Sequence, residues 1–126
     1  MKLLFRGTNK AHFEHKQDIV GFYYGTPAFK EYETPVHIDL MNALTEGTKK
    51  YYEECYQQND TKPLLIVINA EKYKLKQGFD DSEVVIKGKI SLKDITVIST
   101  IEDLLKICPS AEQDEIDIFK KYYLGM

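Results

Sequence analysis

Cysteine is scarce in this sequence, and its scarcity argues against two classes of small protein. The chain of 126 residues has two cysteines, Cys55 and Cys108, and their spacing suggests neither a zinc site nor a disulfide framework. The three histidines, His12, His15 and His37, lack metal-ligand spacing as well. The sequence therefore predicts a domain that folds around a hydrophobic core without a metal site.

Long apolar runs and an excess of positive charge are also missing. No window is long enough for a membrane span, and the apolar start of the chain stops at Arg6, well short of a signal peptide. The net charge of -3 argues against a dedicated nucleic-acid binder, because such proteins neutralise phosphates with a basic face. We expect a soluble, cytoplasmic protein without a membrane partner.

What the chain does have is the composition of a folded domain. Hydrophobic residues make up 43% of the sequence and aromatic residues 12%, which lies well outside the composition of disordered chains. The length is typical of one domain, and neither an internal repeat nor a low-complexity segment divides it. We therefore expect a single domain over residues 1–126.

The hydrophobic pattern predicts an α+β fold. Apolar and β-branched runs predict strands at residues 3–5, 19–24, 64–68, 83–86 and 95–98. The first strand is expected to end at Arg6, since Gly and Thr follow it. Residues 36–40 alternate as a strand would but lead into a helical pattern, and residues 71–79 are expected to be a polar excursion. These strands neither alternate strictly with helices nor cluster together, as is typical of α+β domains.

Helical periodicity and capping residues predict the helices. They are expected at residues 28–33, 42–58, 101–108 and 110–123. Ser99 or Thr100 can cap the third of these helices. Ser110 and Gln113 have the spacing of a capping box for the fourth.

Three strand ends carry polar groups. Arg6 follows the first strand, the stretch from Tyr23 to Thr26 closes the second, and Glu83 opens a later one. Ionised Glu is rarely buried without a partner, so Glu83 is either a solvated strand end or a functional group in a cleft. Strands converge at sheet ends, and we therefore expect the three groups to meet in one cleft.

In this order, the three stretches resemble the motifs of the ADP-ribosyltransferase superfamily. The first motif is similar to Leu4-Phe5-Arg6-Gly7-Thr8, the second to Gly21-Phe22-Tyr23-Tyr24-Gly25-Thr26, and the third to Ser82-Glu83-Val84-Val85-Ile86-Lys87-Gly88-Lys89-Ile90. The resemblance covers residues 3–98. It implies an α+β domain with split sheets and a cleft between two small sheets that binds NAD.

The resemblance also implies an activity and its residues. NAD would be the substrate, and ADP-ribose would pass to a macromolecule or to water, with a protein expected ahead of a nucleic acid as the macromolecular acceptor. Glu83 would be the catalytic carboxylate that stabilises the oxocarbenium-like state formed when the nicotinamide-ribose bond breaks. Arg6 would take part in catalysis and grip NAD with two parallel hydrogen bonds. The other implied NAD-binding residues are Gly7, Thr8, Tyr23, Tyr24 and Thr26.

Two positions depart from the family pattern. Asp81 stands where arginine-modifying members carry a second Glu, which leaves the acceptor open, and Gly25-Thr26 stands where many members have a Ser/Thr-x-Ser pattern. Each candidate also has an ordinary structural alternative, such as a solvated strand end or a packed ring. The second hypothesis is therefore a non-catalytic protein-interaction domain on the same fold. Its expected partner surface is the acidic side of the last helix, formed by Asp114, Glu115 and Asp117.

Overall fold

One antiparallel sheet with helices against it makes up the part of the chain that the computed structural model describes, namely residues 2–9, 33–49, 63–88 and 90–125. The strands are β1 Leu3–Asn9, β2 Glu33–His37, β3 Pro63–Asn69, β4 Lys74–Gln77, β5 Glu83–Lys87 and β6 Ile95–Ile98. Their order is β4-β5-β2-β1-β3-β6, and all neighbours are antiparallel. With the helices given below, this arrangement confirms the α+β prediction.

Within the described residues, one α-helix, α1, follows β2, and two more follow β6. They are α1 Leu40–Lys49, α2 Ile101–Ile107 and α3 Gln113–Ile118, and the last runs on as a π-helical segment over Phe119–Leu124. The carboxylate of Asp39 caps α1, because its Oδ2 accepts the backbone N–H of Asn42 at 3.0 Å. This part of the chain settles the ambiguity at residues 36–40: the strand ends at His37 and the helix begins at Leu40.

The caps of the two C-terminal helices agree with the sequence in one case and differ in the other. The hydroxyl of Thr100 accepts the N–H of Asp103 at 3.0 Å, which confirms the expected cap of α2. The capping box expected at Ser110 is wrong, since α3 is capped by Glu112. The Glu115 carboxylate accepts the Glu112 N–H at 2.8 Å. Glu112 and Glu115, which have the same spacing two residues further along the chain, therefore form the capping box.

β1 continues through the residues that were expected to end it. Each residue of β1 has a partner on β3, including Gly7 opposite Leu65 and Thr8 opposite Leu64. Pairing along the whole strand outweighs the weak strand preference of one glycine. Arg6 therefore lies in the middle of a strand, and the prediction that it stands at a strand end is wrong.

β4 lies inside the stretch that was expected to be a polar excursion. It is a mostly exposed edge strand whose apolar residue is Leu75, so its sequence gives little periodic signal. It forms because β5 pairs with it, Leu75 lying opposite Ile86. Glu33 opens β2, so the helix expected to reach residue 33 does not include it. The expected strand at 19–24 and the expected helical residues 28–32 and 50–58 lie outside the described ranges.

The sheet buries an apolar cluster on each face. We call the face that packs against α1, α2 and the C-terminal segment the helix face, and the other one the reverse face. Buried sheet residues of the helix face are Phe5, Leu65, Val67 and Ile98. Buried residues of the reverse-face cluster are Leu4, Val36, Ile66, Ile68, Ala70, Ile86 and Ile90. The alternation along each strand thus assigns every strand side chain to one face.

Candidate functional site

The sheet has a seam between β1 and β2. Within these two described strands, one residue pair joins them, Phe5 opposite His37, whereas β2 pairs with β5 along its full length from Glu33 to His37. The sheet therefore consists of two three-stranded halves, the β1-β3-β6 half and the β4-β5-β2 half. Because the backbone ladder is so short at the seam, side-chain contacts contribute to joining the halves.

Arg6 makes such a contact across the seam. Its side chain is buried, with 4% of the residue exposed, and Nη1 donates a hydrogen bond to the carbonyl oxygen of Pro35 on β2 at 2.7 Å. Hydrogen bonds from a charged donor contribute about 1.5–3 kcal/mol, more than neutral ones. Arg6 therefore has a structural task in joining the two halves of the sheet.

Two threonines lie near Arg6 on the reverse face. Alternation along β1 puts Thr8 on the same face as Arg6, and Thr34 of β2 lies there because it is opposite Ile86 of the reverse-face cluster. Both threonines are buried. The Thr34 hydroxyl oxygen makes no hydrogen bond within the structure described. The seam thus encloses polar groups in an otherwise apolar face.

Gly7 points to the helix face, where α1 crosses β1. A Cβ at this position would overlap the carbonyl oxygen of Ala43 and would stand 2.5 Å from the backbone nitrogen of Gly47. Such distances are too short for any non-bonded carbon, so the helix backbone can approach the strand only over a glycine. The space beside Gly7, which the sequence assigned to NAD, is occupied by α1.

Glu83 opens β5, as the sequence predicted. Its side chain is partly exposed, and Oε1 accepts the backbone N–H of Phe79 at 3.0 Å. The side chain lies over Gly78, where an added Cβ would stand 2.6 Å from Cγ of Glu83. The bond from the Phe79 N–H therefore restrains the orientation of this carboxylate.

Asp80 organises the turn that precedes Glu83. Its Oδ1 accepts three hydrogen bonds, from the Ser82 hydroxyl at 2.7 Å, the Ser82 N–H at 2.9 Å and the Glu83 N–H at 3.0 Å. These bonds favour the ionised carboxyl, and the one from the Ser82 hydroxyl contributes most to lowering the pKa of Asp80. The turn over residues 78–82 is thus tied together by one carboxylate.

His37 attaches this turn to β2. It lies directly opposite Glu83 and is buried, with 8% of the residue exposed. Its Nδ1 is 3.3 Å from the hydroxyl oxygen of Ser82, and the next residue, Ile38, donates its N–H to the Ser82 carbonyl at 2.9 Å. Sequence reasoning missed His37 and Ser82, because their contact joins residues 45 positions apart and depends on the register of β2 against β5.

The structure does not bring Arg6 and Glu83 into one cleft. His37 lies opposite both Glu83 and Phe5, and Phe5 belongs to the helix-face cluster. Directly opposite residues share a face, so Glu83 lies on the helix face and Arg6 on the reverse face. The remaining candidates of the second motif lie outside the described ranges: Tyr23, Tyr24 and Thr26.

Exposed apolar side chains flank Glu83. Phe79 is 69% exposed and Ile38 is 51% exposed. With the exposed acids Asp80 and Asp81 of the same turn, they form a surface that we call the Phe79 patch. Exposed aromatic side chains are enriched where proteins contact one another, whereas carboxylates are depleted there.

A cavity of about 430 Å³ lies elsewhere on the helix face, between the start of β1, the start of α1 and the α2–α3 connection. Phe5 and Leu40 line it together with Cys108 and Glu115. Burial raises the pKa of the Cys108 thiol, so the thiol stays protonated and unreactive. Glu115 is already bound to the Glu112 N–H. This cavity therefore lacks an activated group.

Two kinds of feature are absent from the described ranges. They contain no cluster of three or more His, Cys, Asp or Glu side chains that could hold a metal ion. Their helices are all too short or too polar to cross a membrane.

No protein-family model matches the chain, and no curated protein matches it either. A function for the chain therefore has to be proposed from its own residues and their geometry.

Proposed function

We propose that the chain is an ADP-ribosyltransferase-like enzyme that cleaves NAD between nicotinamide and ribose and transfers ADP-ribose to a protein. The observation that carries the proposal is the division of the sheet at the seam. Arg6-Gly7-Thr8 lies on β1 in one half, and Glu83 opens β5 in the other half. The six strands remain one sheet, and the short pairing between β1 and β2 is the feature that supports the split sheets implied by the motif resemblance.

The environment of Glu83 suits this chemistry. Loss of nicotinamide leaves positive charge on the ribose, and a fixed, partly exposed carboxylate stabilises such a charge without having to reorganise. The bond from the Phe79 N–H supplies the fixed orientation. Nicotinamide leaves with the electron pair of the broken bond, and the acceptor nucleophile then bonds to the ribose carbon and loses its proton.

The other residues that the sequence predicts to bind NAD have different roles. Arg6 keeps the two halves in place through Pro35. Arg6 and Thr8 are omitted from the proposed NAD contacts, because both are buried on the face opposite Glu83. Gly7 is omitted, because α1 fills the space beside it. The remaining proposed NAD contacts are Tyr23, Tyr24 and Thr26.

The test follows nicotinamide release from NAD by the purified protein and by Glu83→Gln. The Gln side chain keeps the shape of Glu and an oxygen that can accept the Phe79 N–H, so the fold should be unchanged. We expect the variant to lose at least about 100-fold in rate, the size of effect seen when one preorganised electrostatic group is removed. Glu102→Gln on the exposed side of α2 makes the same chemical change far from the site and should match the parent protein.

Two further results decide the proposal. NAD at 100 times its Kd should stabilise the folded protein by about 2.7 kcal/mol, which a melting curve detects. Absence of both nicotinamide release and an NAD-dependent shift in Tm would contradict the proposal. Equal release by the parent protein and Glu83→Gln would show that another group cleaves NAD.

The second candidate is a non-catalytic protein-interaction domain on the same fold. The Phe79 patch favours it, because it presents Phe79 and Ile38 to solvent. The acidic side of α3 is a weaker candidate surface, since Glu115 caps its own helix and Asp117 accepts from the Gln113 amide at 2.8 Å. Phe79→Ser should abolish partner binding if this candidate is right, and it should leave the melting temperature nearly unchanged.

A further inference from the structure

We infer that His37 is a positioning residue for the Glu83 carboxylate, an inference that rests on the proposed function. The orientation of Glu83 depends on the turn over residues 78–82, because the Phe79 N–H binds its Oε1 at 3.0 Å. Any movement of this turn against β2 therefore moves the carboxylate. Displacement of a catalytic group by about 1 Å can cost about 100-fold in rate.

Contacts from the last residue of β2 and from the residue after it fix the turn at Ser82. The Ile38 N–H binds the Ser82 carbonyl at 2.9 Å, and His37 Nδ1 lies 3.3 Å from the Ser82 hydroxyl oxygen. The first contact comes from the backbone and the second from a side chain. Substitution of His37 can therefore loosen the turn while the backbone pairing of β2 with β5 remains.

The direction of the His37 contact follows from the other bond of the Ser82 hydroxyl. That hydroxyl lies 2.7 Å from Oδ1 of Asp80, an ionised acceptor, and donates its proton there. The hydroxyl oxygen therefore accepts from Nδ1–H of His37. The resulting chain runs from His37 through Ser82 to Asp80, whose Oδ1 also binds the Glu83 N–H at 3.0 Å. His37 thus acts on Glu83 through the turn and without touching the substrate.

The test compares His37→Asn with His37→Leu. Asn places an amide nitrogen at the same distance along the side chain as Nδ1, and Leu has nearly the shape of Asn without a donor. The rate of nicotinamide release and the KM for NAD are measured for both variants, together with Tm. We expect Leu to lower kcat by about 10- to 100-fold with KM within about twofold, and Asn to stay within about threefold of the parent kcat.

Ser82→Ala removes the other end of the contact and serves as a matched variant. It should lower kcat at least as much as His37→Leu does, because it also removes the hydrogen bond from the Ser82 hydroxyl to Asp80. The double variant should lose no more than Ser82→Ala alone, since the His37 contact is already absent there. Equal losses in His37→Asn and His37→Leu would overturn the inference, and so would parent-like kcat in both. A fall in Tm with unchanged kcat would show a merely structural role. If the parent protein neither releases nicotinamide nor is stabilised by NAD, the proposed function fails and the inference fails with it.

Discussion

The two halves of the sheet differ in what they present on the helix face. In the β1-β3-β6 half this face is apolar and buried under helices, with Phe5 and Val67 in one cluster with Leu44 and Leu104. In the β4-β5-β2 half, which we call the polar half, the same face carries charged and polar side chains beside the buried Pro35 and Val85. Its residues there include Glu33, His37, Lys76 and Glu83.

This difference explains where the helices lie and where chemistry is possible. Apolar side chains gain from being covered, whereas charged groups are costly to bury unless they are paired. α1 accordingly packs chiefly on β1, in the apolar half. Glu83 keeps a partly exposed side chain in the polar half, while Arg6 is buried at the seam. Of the two acidic residues on this face of the polar half, Glu33 is buried and Glu83 is partly exposed, so solvent reaches Glu83 more readily.

The largest expected effect tests how closely the apolar half is packed. Gly7→Ala puts a Cβ into the carbonyl of Ala43, and backbone atoms of α1 would have to move. We expect a loss of more than about 4 kcal/mol in the free energy of unfolding, or failure to fold. Chemical denaturation measures the loss. Gly125→Ala is the control: it lies at φ 70° with no heavy atom within 4 Å of an added Cβ, so it should cost only about 1–2 kcal/mol.

The next prediction concerns the charges of the polar half. Lys76 Nζ lies 2.6 Å from Glu33 Oε2, and the two side chains are 42% and 11% exposed. Lys76→Met removes the cation beside a nearly buried carboxylate and should cost about 1–2 kcal/mol, less than a fully buried pair because Lys76 is solvated. The cost should largely disappear in a Glu33→Gln background. An equal cost in both backgrounds would show that Lys76 stabilises the sheet through packing alone.

A smaller effect is expected at the seam, where the halves meet. Thr34 is buried, and its hydroxyl oxygen has no hydrogen bond within the structure described. Thr34→Val should therefore raise the free energy of unfolding by about 1 kcal/mol, because it removes an unsatisfied polar group. Thr96→Val, at an exposed position of β6, should change it by less than about 0.5 kcal/mol. Destabilisation by Thr34→Val would mean that the hydroxyl is bonded in solution.

Features that depend on a few neighbouring residues could be predicted from the sequence. The apolar run at 64–68 predicts β3, because an unbroken apolar run indicates a strand buried on both faces whatever its neighbouring strands are. The Thr100 cap and the start of β5 at Glu83 follow from local patterns in the same way. Each of these predictions concerns groups that are close along the chain.

Features that depend on pairing between distant strands could not be predicted. A shift of one residue in register moves a side chain to the other face, so nothing local to Arg6 or Glu83 shows that they lie on opposite faces. Gly7 illustrates the same limit. From the sequence, Gly7 looks like a turn glycine. In the structure it lies where α1, which begins more than thirty residues later in the sequence, crosses β1. His37 likewise becomes a site residue only through its register with Glu83.

The smallest expected effect concerns the turn before Glu83. Its pH dependence distinguishes it from the effects expected elsewhere in the polar half. The Ser82 hydroxyl and the backbone N–H groups of Ser82 and Glu83 lower the pKa of Asp80 below its ordinary value of 3.8. A carboxyl with a lowered pKa stabilises the fold above that ordinary value, and this contribution is lost as the pH falls through the folded-state pKa. The difference in Tm between the parent protein and Asp80→Asn should therefore be largest near neutral pH and shrink below about pH 4.

Ser82→Ala provides the matched comparison, since it removes the bond that contributes most to the shift. In this background, the pH-dependent part of the Asp80→Asn difference should become smaller. A difference that stays constant from pH 7 to strongly acidic solution would mean that Asp80 is not preferentially ionised in the folded protein. The turn would then lack the charged anchor at Asp80 on which the orientation of Glu83 and the proposed role of His37 both depend.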